Sequence, residues 1–100
     1  MAKIYITELA NKGAAESGAG IEVAAVPPLA EQTVSVAGAS AQSAAFNAST
    51  RFVRIATDTP VNLAFGANPT ATVSTLYMPS GSVEYFAVTG GMKVAAIQGA

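Results

Sequence analysis

The stretch TRFVRIATDTPVNLAFG, residues 50–66, decides how the rest of the chain is read. Val53 and Ile55 flank Arg54, and Val61, Leu63 and Phe65 alternate with Asn62 and Ala64. A period of two carried by β-branched and aromatic residues marks a strand with one buried face. Asp58-Thr59-Pro60 between the two runs reads as a turn, because Asp bonds to its own nearby backbone and Pro fixes φ. The expectation is an antiparallel hairpin that ends at Gly66-Ala67-Asn68-Pro69. Val53, Ile55, Val61, Leu63 and Phe65 point inward; Arg54 and Thr57 lie near the outward side.

The same period appears on either side. AKIYITEL (2–9), GIEVAAV (20–26) and EQTVSVAG (31–38) read as strands, the second stopped by Pro27-Pro28. Between the first two, ANKGAAESGAG (10–20) carries three glycines and reads as a mobile loop, with a short helical turn over 14–17 as the competing reading. SAQSAAFNAS (40–49) reads as an edge strand, with a helical turn over 41–45 as the competing reading. Towards the C-terminus TATVSTLYM (70–78) is a further strand, closed by Pro79-Ser80-Gly81. SVEYFAV (82–88) and MKVAAIQ (92–98) flank Thr89-Gly90-Gly91, where the glycine pair supplies the positive φ of a tight hairpin. About eight short strands without a long helix predict an all-β fold, an antiparallel β-sandwich or jelly-roll-like small barrel. One domain is expected overall, with residues 1–20 as an N-terminal strand or arm and glycine-bearing loop and 21–100 as the sandwich.

Composition narrows the function classes. Charged residues make up 11% of the 100 residues, against roughly 25% in ordinary soluble domains. The net charge is −1 and the mean hydropathy +0.42. So neutral a surface, rich in Ala, Ser, Thr and Gly, points to contact with other protein. Five cations against six anions form no basic stripe, which argues against nucleic acid as a partner. No stretch approaches the roughly 18 apolar residues of a membrane helix, and Glu8, Asn11 and Lys12 interrupt any signal-peptide core. Synthesis in the cytoplasm without a signal peptide is the expectation.

Chemistry-bearing residues are sparse. There is no histidine and no cysteine, so the commonest general base and the imidazole and thiolate metal ligands are missing. Glu8, Glu16, Glu22, Glu31, Asp58 and Glu84 are scattered, with no pair spaced for acid–base work. GAGIEV (18–23) lacks the third glycine and the helix of a dinucleotide site. A non-enzymatic protein without cofactor or metal is expected. Interface candidates are Arg51 and Arg54, as ion-pair partners across a subunit contact, and Tyr77 and Tyr85, since aromatics are favoured at interfaces.

TRFVRIATDTPVNLAFGANPTAT followed by MPSGSVEYFAVTGGMKVAAI resembles small structural proteins of tailed bacteriophages. The shared pattern is an Arg-bearing strand, a Thr-Pro corner, a strand ending Phe-Gly-x-Asn-Pro, a Met-Pro-x-Gly turn into Glu-Tyr-Phe, and a Gly-rich connection into a last strand. It covers about residues 50–98, roughly half of the chain. The resemblance implies a virion accessory protein that decorates or cements the capsid exterior by bridging coat subunits, as a homo-oligomer with a trimer favoured. Its partner would be the major capsid protein or another virion protein. In that role residues 1–20 would be an adhesive arm, with Ile4, Tyr5 and Ile6 adding to a partner's sheet edge. The alternatives are a tail, baseplate or head–tail junction component and, weaker because such a module wants exposed aromatics and the chain has no Trp and only three Tyr, a carbohydrate-binding module.

Overall fold

The alternating runs form ten strands in a computed structural model, which describes residues 2–10 and 28–99 in full and the backbone of 12–14 and 20–24. They are β1 Lys3–Leu9, β2 Lys12–Ala14, β3 Gly20–Ala24, β4 Ala30–Ser35, β5 Ala41–Gln42, β6 Phe52–Thr57, β7 Val61–Gly66, β8 Leu76–Met78, β9 Val83–Ala87 and β10 Lys93–Gln98. Eight of them build two antiparallel four-stranded sheets, β4-β1-β6-β9 (sheet I) and β5-β10-β7-β8 (sheet II). The sheets pack face to face as a small β-sandwich, not a closed barrel. The remaining pair, β2-β3, forms a separate two-stranded ladder between β1 and β4 in sequence. The helical turn weighed over 14–17 and Pro27 fall largely or wholly outside the described residues.

Each inner face contributes one residue in two along its strands. Ile4, Ile6, Val34, Val53 and Ile55 come from sheet I, and Val61, Leu63, Met78, Val94 and Ala96 from sheet II. Val36, Phe46 and Val88 add to the core from the connections. Phe65 and Phe86 meet across the sheets with ring centroids 5.0 Å apart. Phe65 is only partly buried there, so it closes a flank of the core rather than sitting at its centre.

The expected hairpin over 50–66 does not form. β6 pairs with β1 and β9, whereas β7 pairs with β10 and β8. Residues 58–60 are an arch that carries the chain from one sheet to the other, so Ile55 and Leu63 enter the core from opposite sheets. Thr57 shares the parity of Val53 and Ile55 and is buried at 4% exposure, not turned outward. Its Oγ1 donates to Thr59 O (2.6 Å) and accepts from Thr59 N (3.2 Å), making the turn itself. Asp58 has a longer reach than expected: its carboxylate accepts the backbone N–H of Lys3 at 2.8 Å.

Thr89-Gly90-Gly91 is a second arch, since β9 lies in sheet I and β10 in sheet II. Gly91 adopts φ +87°, the left-handed region that favours glycine. Gly90 is needed for proximity, because a Cβ there would lie 2.4 Å from the carbonyl oxygen of Ala48. Two expected strands are shortened. Of 40–49 only Ala41–Gln42 pairs, and of 70–78 only Leu76–Met78. The reading of residues 1–20 as an arm also changes. β1 is an interior strand with β4 on one side and β6 on the other, so both of its edges are already hydrogen-bonded.

Candidate interaction face

The two outer faces of the sandwich differ. On sheet II the outward positions are Gln42, Ala64, Ala95, Asn62, Ile97 and Tyr77, by alternation from the core residues. Segment 67–75 folds back over the Gln42, Asn62 and Ala95 part of this face and leaves Tyr77 49% exposed. Gln42 Nε2 donates to Asn68 Oδ1 and Pro69 O (both 2.8 Å), Ser40 Oγ accepts from Ala71 N (2.9 Å), and Asn62 Nδ2 donates to Thr75 O (2.6 Å). The small side chains of Ala64 and Ala95 let this segment approach closely, and Pro69, Ala71 and Ala95 are buried by it.

Sheet I has no such cover among the described residues. Its strand registers place Thr33, Tyr5, Ala56 and Val83 side by side in one row, and Glu31, Thr7, Arg54 and Tyr85 in the next. Tyr5 is 45% exposed, Val83 44% and Tyr85 55%. Phe52, one pair further along β6, holds Tyr85 with ring centroids 6.2 Å apart. Four apolar or aromatic side chains, Tyr5, Phe52, Val83 and Tyr85, thus share this face with Arg54. Among the described residues no hydrogen bond or ion pair engages the Arg54 side chain. An aromatic and arginine-bearing patch with a polar rim has the make-up of an interface centre.

Three interface candidates from the sequence, Tyr5, Arg54 and Tyr85, therefore meet on one surface. The others do not. Arg51 sits just before β6 with its guanidinium on the carbonyls of Ala48 and Thr50 (3.3 Å each), and Tyr77 lies on the opposite sheet. Ile4 and Ile6 are fully buried between the sheets. They point to the core because Tyr5, not they, takes the outward position in β1, so no partner reaches them in the folded protein.

Glu8 is missed by sequence reasoning, which groups it with the scattered carboxylates. It is 2% exposed, on the inner face beyond Ile6. Oε1 accepts from Asn47 N (2.7 Å) and Thr50 Oγ1 (2.9 Å), and Oε2 from Gln32 Nε2 (3.0 Å). Gln32 also accepts from Ala44 N (3.0 Å). The carboxylate ties segment 43–50 down onto the end of sheet I. Both oxygens are occupied by this work, and among the described residues no buried side-chain polar atom lacks a partner. Nor, among the described residues, does any group of three or more Asp or Glu side chains gather as a candidate metal site. Comparison with protein-family models, with curated proteins and with solved structures returns no match for this chain.

Proposed function

We propose that the chain is a non-enzymatic structural protein of a tailed-phage virion, which decorates the capsid exterior by laying the outer face of sheet I against a coat subunit. One observation carries this reading: Tyr5, Val83 and Tyr85 stand exposed beside Arg54 on the outer face of sheet I with no described segment folded over them, whereas segment 67–75 shields much of sheet II and leaves Tyr77 exposed. An isolated sandwich gains from polar residues on both outer faces. A face left apolar and aromatic instead gains by docking. The virion assignment rests on the resemblance over residues 50–98, and the docking reading on the face itself.

The partner surface is apolar with a carboxylate at its centre, because a guanidinium covered by protein needs an anionic acceptor. Repetition of one modest contact over a shell would give firm attachment through avidity. The test is co-sedimentation of the purified protein with emptied phage heads, followed by the temperature at which those heads rupture. Wild type binds and raises that temperature; Arg54→Glu and Tyr5→Ala bind at least about tenfold more weakly, as expected of hot-spot residues. Equal binding by wild type and Arg54→Glu would remove the face from consideration, and no binding to heads would end the virion reading.

A further inference from the structure

Strand β9 borders this face of sheet I and is also an open edge, because among the described residues it pairs with β6 alone. The ladder fixes which backbone groups it leaves free. Val88 N donates to Arg51 O (2.9 Å) and Thr57 N to Ser82 O (3.2 Å). Antiparallel pairs alternate in their bonding, so between those two points Phe86 bonds with Val53 and Glu84 with Ile55. Val83, Tyr85 and Ala87 consequently turn their N–H and C=O groups away from β6, to the side where no strand lies. The same three residues place their side chains on the exposed outer face.

The other edges of the two four-stranded sheets are protected and this one is not. β5 has two residues and β8 three, too short to template a strand. On β4 the equivalent positions are Glu31, Thr33 and Ser35, a charge and two hydroxyls. On β9 they are apolar or aromatic, with no Pro and no Lys. Its one charge, Glu84, has its backbone directed to β6 and its side chain on the inner side.

We propose that β9 pairs antiparallel with β9 of a second copy of this chain about a two-fold axis at Tyr85, which joins the two copies of sheet I into one continuous sheet. In that register Tyr85 opposes Tyr85, and Val83 opposes Ala87 of the second copy. All three free residues of each edge then find partners, closing about six main-chain hydrogen bonds. Charge selects this register. A pairing centred on Glu84 would set the two carboxylates directly opposite, which is unfavourable, whereas the Tyr85-centred one sets Glu84 opposite Phe86. An isologous edge of this kind closes as a dimer, in place of the trimer that the decoration role suggests. It would also merge the outer faces of both copies of sheet I, with both Arg54 side chains, into one surface. The inference goes beyond the docking reading and does not depend on it.

Sedimentation of the intact chain tests it without any shell present. Wild type should run at twice the 10.0 kDa of one chain, and Tyr85→Lys and Tyr85→Glu should each run as monomers. Tyr85 is exposed, so both variants keep their fold. An equimolar mixture of the two restores the dimer, since opposite charges then meet at the axis. Hydrogen exchange supplies the second readout: the amides of Val83, Tyr85 and Ala87 are slowed by about tenfold or more in wild type and released in Tyr85→Lys. A wild-type monomer, a mixture that stays monomeric, or an oligomer protected at Glu31 and Thr33 with the β9 amides fast would each overturn the proposal. A wild-type dimer that fails to bind shells would count against the docking reading alone.

Discussion

Replacing Glu8 probes the connection between the core and segment 43–50. Glu8→Ala removes the acceptor of three donors: the backbone N–H of Asn47, the hydroxyl of the buried Thr50 and the side-chain amide of Gln32. Each donor left dry costs about 1–3 kcal/mol, and the cavity adds to that. Water reaching the Asn47 end recovers a part, so the expected loss is about 3–5 kcal/mol, in the range for breaking a buried polar network. Glu8→Gln is more discriminating. Its oxygen still serves Asn47 and Thr50, but its new amide confronts the amide of Gln32, which cannot turn over without losing Ala44 N. The expected cost is about 1–2 kcal/mol for one lost and one opposed donor. Adding Gln32→Glu to that variant supplies a carboxylate that accepts from both the introduced amide and Ala44 N, and should recover about 1 kcal/mol. Urea unfolding with a common m-value measures all four corners of this cycle. Equal losses for Glu8→Gln with and without Gln32→Glu would show that the two side chains are not coupled and refute the geometry.

Gly90→Ala should lower stability by about 2–3 kcal/mol, because the new methyl meets the Ala48 backbone and not a flexible side chain. Gly91→Ala, with open space but φ +87°, should cost about 1–2 kcal/mol; thermal melts that reverse this order would contradict the arch. Leu63→Ala, at the centre of the core, should cost about 3–4 kcal/mol and exceed Phe65→Ala, whose ring is only partly buried. Denaturation midpoints decide between them. Arg54→Glu should change stability by less than about 0.5 kcal/mol while it weakens shell binding, since its side chain makes no hydrogen bond or ion pair among the described residues.

Alternation is legible in the chain, and pairing is not. Val34, Val36, Val53, Ile55, Val61 and Leu63 show their inward face in the sequence, and all are buried. An arch and a hairpin place the same residues inward, however. In a hairpin Ile55 and Leu63 would share a face of one sheet, and in the arch they enter the core from opposite sheets. A short corner such as Asp58-Thr59-Pro60 fits either, so residues 50–66 suggest a pair that the fold does not make. Glu8 is hidden for another reason: its three donors come from positions 24 to 42 residues away, beyond any local pattern. The interaction face is half visible. Tyr5, Arg54 and Tyr85 suggest contact by type, but only the β1-β6-β9 register brings them together. The cover on sheet II leaves a signal in its small residues, Ala64, Pro69, Ala71 and Ala95, which alternation alone does not interpret.

The arches at 58–60 and 89–91 carry a kinetic consequence. Neither layer can be completed from one contiguous piece of chain, because β6 waits for β9 and β7 for β10 while each arch leads away to the opposite layer. β5 finds its sole strand partner in β10, more than fifty positions downstream. Topologies dominated by such distant partners fold in about milliseconds to seconds, not microseconds. Until β10 is in place, β5 has no strand to join, β7 has one bare edge and the core lacks Val94 and Ala96.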